Sequence, residues 1–218
     1  MTKITEQEKQ GFNRVLYNRR DIRSHFLPDI VDETLLLDIL TAAHHAPSVG
    51  FSQPWNFIVI KDDNVKKKVF EAFSEANLEA EKMFSGERQE QYQTLKLQGI
   101  LDAPINICIT CDRSRGGEVV LGKTHQPDMD LYSTVCAVQN LWLAARAENI
   151  GVGWVSIIEC DTLSDILKLP DQVVPVAYLC IGHVSSFPEI PELESKQWEV
   201  REQVKKLIYT DECGSRAS

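Results

Sequence analysis

The chain has 218 residues, with 23 Lys plus Arg against 32 Asp plus Glu and a formal net charge of −9 at pH 7. That length suits one domain with a sizeable core, and the acidic balance excludes general binding to nucleic acid or to an anionic membrane surface. No apolar run reaches the ~18 residues of a membrane span, and the polar N-terminus does not read as a signal peptide, so a cytoplasmic setting is expected.

Thr5 followed by Glu8 forms a capping-box pattern, and Phe12, Val15 and Leu16 supply an apolar stripe at helical spacing. This first helix delivers Arg19-Arg20-Asp21-Ile22-Arg23. If the turn continues, Arg19 and Arg23 share a face. Three guanidiniums in five residues stand against the overall sign of the chain. They read either as an anion site or as solvated cations complementing a helix C-terminus. Asp21 cancels part of that field and calls for its own explanation.

Asp32 caps a second helix whose Leu35, Leu36, Ile39 and Leu40 face inward, ending before Pro47. Residues 47–55 form a loop. With Asn56, its Pro47, Ser48 and Gln53 read as turn chemistry, or as a mixed donor and acceptor edge for a heteroaromatic ring. Residues 56–60 read as a strand and 62–84 as an amphipathic helix. Residues 85–99 are polar and helix-prone, which suits a solvated bridge or a mobile lid. A buried strand spans 104–112. Cys108 and Cys111 within it are three apart and so face opposite ways, which makes them core thiols rather than a metal or redox pair.

A loop over 113–130 feeds a helix over 131–149 that is apolar on most faces and ended by Gly151. It is the expected central helix or subunit interface. A strand over 152–159, a short helix over 163–168 and a strand over 173–184 follow. On the first of these strands Trp154 and Ser156 share a face, and the Ser156 hydroxyl needs a partner, either backbone or ligand. His44 and His45 read as packing and capping residues. The tail from 185 has little core of its own, yet Trp198, Leu207, Ile208 and Tyr209 call for burial, so it is expected to wrap another subunit. Strands among helices suggest α+β or α/β with one sheet, and no G-x-G-x-x-G follows the first strand.

R-R-x-x-R after the first helix, P-S-x-G-x-x-Q-P-W-x-F at 47–57 and G-x-G-W at 151–154 together resemble the FMN-binding pattern of the nitroreductase superfamily, over nearly the whole chain. Asp21 and Ser156 make it most similar to the flavin-destroying branch, because other branches usually carry Ser at the first position and lack a serine at the second. The resemblance implies an α+β fold with a central, mostly antiparallel sheet flanked by helices. It also implies one domain over 1–218, a lid at 85–99 and a homodimer exchanging the C-terminal arm, 185–218. Reduced FMN would be the substrate, split with dioxygen into 5,6-dimethylbenzimidazole and erythrose 4-phosphate for the lower ligand of cobalamin. NAD(P)H would enter only indirectly, through a separate flavin reductase. Arg19, Arg23 and Arg201 would hold the phosphate, with Arg20, Asp21 and Ile22 along the ribityl chain and ring. Pro47, Ser48 and Gln53 would come from the other subunit, and Asp21 and Ser156 would be catalytic. No metal, nucleic acid or membrane is implied. The rivals are a nitroreductase or flavin reductase recycling FMN with NAD(P)H, an iodotyrosine-type dehalogenase using Glu87, Tyr92 and Lys96, and a flavin-storage protein.

Overall fold

Local signals set the helix starts. Thr5 Oγ1 accepts the Glu8 N–H at 3.3 Å and Glu8 Oε2 accepts the Thr5 N–H at 2.7 Å, a reciprocal cap that opens α1 (Glu6–Asn18). Asp32 accepts the Thr34 and Leu35 N–H groups at the start of α2 (Glu33–His44). Asp62 accepts that of Asn64 at α3 (Asp63–Glu81). A computed structural model describes residues 3–214. These divide into two compact units between Phe187 and Pro188.

In the first unit, four strands form one sheet: β1 (Trp55–Ile60), β2 (Ile105–Asp112), β3 (Gly151–Val155) and β4 (Val173–Gly182). Their order is β1-β2-β4-β3 and every neighbouring pair is antiparallel, the arrangement the sequence suggests. Period-two alternation sorts the strands into two layers. Ile105, Ile107, Ile109, Leu179 and Ile181 pack with α2 and with α5 (Met129–Ala147). On the other face Cys108, Tyr178 and Cys180 pack with Val69 and Phe73 of α3 and with Leu163 of α6 (Cys160–Leu167). Cys108 and Cys111 diverge as the strand period requires. Burial pushes the Cys108 and Cys180 thiols up to about 12, while Cys111 sits beside Thr134 of α5. Ala137, Val138, Leu141 and Ala145 make α5 the buried central helix.

Several expectations need correction. Asn149, with φ of 57°, takes the left-handed position after α5, and Gly151 instead opens β3. β3 ends at Val155, so Ser156 lies past the strand and is exposed rather than set in an apolar wall. Of the apolar stripe of α1, Val15 and Leu16 are half-buried in the single chain, while Phe12 is 57% exposed. Only Glu87–Gln93 of the expected lid is helical, as α4. Its Tyr92 is buried, stacked on Phe84 with ring centroids 5.1 Å apart, and its hydroxyl donates to Asn77 Oδ1 at 2.7 Å. Beyond it Gly99 and Ile100 are core, and a Cβ on Gly99 would stand 2.7 Å from the Phe26 ring. The segment is anchored at both ends because it carries these apolar residues among its polar ones.

The second unit holds α7 (Glu192–Ser195) and leaves Leu207, Ile208 and Tyr209 exposed. Residues 215–218 of the expected arm, and 1–2 of the expected domain, lie outside the described residues. Among the described residues no helix is long and apolar enough to cross a membrane.

Candidate functional site

The arginine cluster does not continue α1. Arg19 has φ −66° and ψ 135°, so the chain leaves the helix and runs extended along the outer edge of β3. Arg19 and Arg23 therefore do not share a helical face. The Ile22 N–H donates to Val152 O at 3.0 Å, as a further ladder bond would. One step on, Asp21 Oδ1 accepts the Trp154 N–H at 2.9 Å, in the place of a strand carbonyl. The Ile22 side chain, 2% exposed, anchors the segment. This crossing explains the G-x-G spacing. A Cβ on Gly153 would lie 1.9 Å from Ile22 O, and one on Gly151 would lie 2.4 Å from Val184 Cγ1.

The remaining oxygen of Asp21 belongs to Arg23. Oδ2 accepts from Arg23 Nη2 at 2.7 Å and from Nε at 3.1 Å, a charge-assisted pair in which the two side chains are 29 and 16% exposed. The carboxylate is thus fixed on both sides, by a sheet edge and by a guanidinium. Arg19 stacks over Trp142 of α5 at 4.5 Å, and Trp154 lies 6.2 Å from that indole. The Trp142 Nε1–H donates to Arg20 O at 3.2 Å, and Arg20 Nη1 donates to the carbonyls of Tyr17 and Arg19 at 2.8 Å. Arg146 donates to Asn18 O at 3.1 Å, and burial followed by the charges of Arg14 and Arg20 pulls its guanidinium below the usual value. The ends of α1 and α5 thus converge on a positive patch in an acidic protein.

The loop bearing Pro47, Ser48 and Gln53 forms a second cluster. Ser48 Oγ accepts the Gln53 N–H at 3.0 Å, and the Val49 N–H donates to Ser133 Oγ at 3.0 Å. Gly50, Phe51 and Gln53 all have positive φ, of 53, 54 and 47°. Ser133 stands nine residues before Trp142 on α5, about 14 Å along the helix axis. Within one chain the loop and the arginine segment therefore meet α5 at different levels. Ser156 lines a small cavity of ≈ 160 Å³ with Trp154, Cys160 and Tyr178. Arg201 lies exposed in the second unit. His44 Nδ1 accepts the Trp55 indole N–H at 3.1 Å, a packing role as expected. Trp142, Ser133 and the Trp154 amide are not legible as site residues, because each acts through a contact distant in sequence.

An antiparallel sheet with helices on both faces, carrying a basic segment and a fixed carboxylate on one edge, defines an α+β protein rather than a doubly wound dinucleotide domain. Comparison with known sequences makes the class specific: residues 16–183 match the nitroreductase family, and the chain belongs to it. It is 39% identical over 193 residues to a 5,6-dimethylbenzimidazole synthase of Rhodospirillum rubrum, covering 88% of this chain and 91% of that one. A protein of the same name from Rhodobacter capsulatus is 35% identical over 194 residues, covering 89% and 93%. In fold the chain is similar to iodotyrosine deiodinase bound to FMN and 3-iodo-L-tyrosine, with a TM-score of 0.70 at 18% identity over 83% of this chain and 94% of that one.

Proposed function

We propose that this protein is an oxidoreductase that cleaves reduced FMN with dioxygen, giving 5,6-dimethylbenzimidazole as the lower ligand of cobalamin, erythrose 4-phosphate, and a third fragment that carries away the remaining pyrimidine-ring atoms of the flavin. Its relatives at 39 and 35% identity carry the name of that synthase over most of both chains. The observation that carries the reading is the Asp21 carboxylate, locked to the β3 edge by the Trp154 N–H and to Arg23.

The donor set fits FMN. Guanidiniums match a phosphate in geometry and charge, and the half-buried Trp154 indole lies close to them, against the buried Trp142. Bound reduced FMN supplies the electrons for dioxygen, and the chain's residues bind, orient and shield it. Arg19, Arg20 and Arg23 hold the phosphate end and the ribityl chain, with Ile22 placing the segment. Asp21 accepts a proton from the ribityl carbon nearest the ring, while its second oxygen stays tied to the Trp154 amide. The Ser156 hydroxyl, exposed past the end of β3, hydrogen-bonds the ring edge where oxygen arrives.

A homodimer completes the site, with Pro47, Ser48 and Gln53 of one copy meeting the arginine segment of another and Arg201 arriving on an exchanged arm. Two features support this. Among the described residues no strand pairs with the outer edge of β1. Beside it lies an apolar groove of ≈ 870 Å³ lined by Leu36, Leu40, Ile58 and Leu167, while Leu207 and Ile208 are exposed. NAD(P)H acts through a separate reductase that supplies the reduced flavin. The dehalogenase rival is disfavoured because the Tyr92 hydroxyl is bound to Asn77 and Lys96 is paired with Asp102 at 2.8 Å. Incubation with excess reduced FMN in air, followed by mass spectrometry, tests the reading. Formation of 5,6-dimethylbenzimidazole is expected, and FMN recovered intact would defeat it.

A further inference from the structure

The loop over 47–53 enters left-handed backbone at three residues, Gly50, Phe51 and Gln53, with right-handed Ser52 between the last two. At the non-glycine Phe51 and Gln53 this conformation is strained, and such strain persists only where the surroundings over-determine it. The support comes from the loop between β2 and α5. A Cβ on Gly50 would stand 2.7 Å from Val120 Cγ1 and 3.0 Å from Leu121 O, so the two loops touch backbone to backbone.

Arg115 spans that contact. Its Nη1 donates to Gln53 O at 3.0 Å and to Trp55 O at 2.9 Å, and its Nη2 donates to Asn56 Oδ1 at 2.6 Å. Asp112, 3.5 Å away, holds the guanidinium from behind. The neighbouring cations do other work: Arg113 pairs with Asp128 and Asp130, and Lys123 pairs with Asp130. Their bonds tie the β2–α5 loop to the start of α5. Those of Arg115 reach the 53–56 segment.

Building on the FMN reading above, we propose that Arg115 is a positioning residue for the flavin: its forked hydrogen bonds fix the backbone of Gln53 so that the 47–53 loop presents its amide and hydroxyl to the ring. One fork takes two carbonyls and an amide oxygen at once. An ammonium at this place can take one or two of them and cannot hold all three in a plane. The effect to read is therefore FMN affinity, which should fall by more than any loss of stability accounts for.

The test compares wild type, Arg115→Gln and Arg115→Lys in the full chain. It measures the dissociation constant for oxidised FMN by flavin fluorescence, kcat and KM for reduced FMN, and the melting temperature. For Arg115→Gln we expect FMN binding weakened about tenfold or more and KM raised likewise, with kcat within about threefold of wild type. Arg115→Lys should fall between the two. Arg115→Gln that binds FMN as tightly as wild type overturns the proposal. If that variant does not fold, Arg115→Lys decides: wild-type affinity overturns the assignment, and weakened binding at an unchanged melting temperature supports it. A wild-type protein that binds FMN and forms no 5,6-dimethylbenzimidazole would defeat the fragmentation reading alone, since the binding constants still test Arg115.

Discussion

Gly153→Ala probes the crossing on which the site is built. The new methyl carbon would stand 1.9 Å from Ile22 O, about 1.5 Å inside ordinary van der Waals contact. The obstacle is main chain, so no rotamer change relieves it. The arginine segment must lift from β3, and with it go the Ile22 N–H bond to Val152 O and the Trp154 N–H bond to Asp21. Overpacking costs ~1–3 kcal/mol and each weakened bond about 1 kcal/mol, so a loss of roughly 3 kcal/mol is expected. For a chain of this size that lowers the melting temperature by roughly 6–12 °C. Urea unfolding followed by circular dichroism measures the first figure, and flavin fluorescence should show FMN affinity falling with it. Gly151→Ala is the comparison: its methyl would meet Val184 Cγ1 at 2.4 Å, a side chain rather than main chain, so a smaller loss than for Gly153→Ala is expected. Equal stability and equal FMN affinity for Gly153→Ala and wild type would refute the close-approach explanation of the G-x-G spacing.

Asp32→Ala removes the acceptor for two N–H groups at the start of α2 and should cost ~1 kcal/mol in urea unfolding. Those bonds hold the Asp32 carboxyl below its usual value, so its contribution is present at neutral pH and is lost as pH falls through that lowered value. Burial pushes the Cys108 and Cys180 thiols up to about 12 in the folded chain, above the ordinary thiol value of about 8.5, so between those limits the unfolded chain has lost protons that the folded chain keeps. Stability should fall as pH rises through that window. At pH 8 a thiol reagent should modify exposed Cys160 and Cys213 quickly and reach Cys108 and Cys180 only on unfolding.

The parts of the fold visible in the sequence are those set by neighbours in the chain. The caps at Thr5 and Asp32 and the opposed faces of Cys108 and Cys111 in the buried β2 depend on residues a few positions apart, and the structure places them as expected. The path of residues 19–23 does not. After a well-capped helix nothing local stops the next turn, and the extended course is imposed by an edge strand more than a hundred residues away. Within residues 85–99 the polar majority hides the buried Tyr92, which is covered by Phe84 and bonded to Asn77, contacts that lie outside the segment. In the site, the residue types at Asp21, Arg23 and Ser48 could be read from the motif. What holds them could not, since Trp154 acts through its backbone and Arg115 through a second loop.

The central claim concerns the Asp21 carboxylate, and the isosteric amide tests it most directly. Asp21→Asn retains an oxygen for the Trp154 N–H and loses the negative charge that meets Arg23. With FMN bound in both proteins, the yield of 5,6-dimethylbenzimidazole per turnover of reduced flavin is the quantity to compare. The account predicts at least ~100-fold less product from the variant, the loss expected on removing a positioned proton acceptor. Product at the wild-type rate would contradict it.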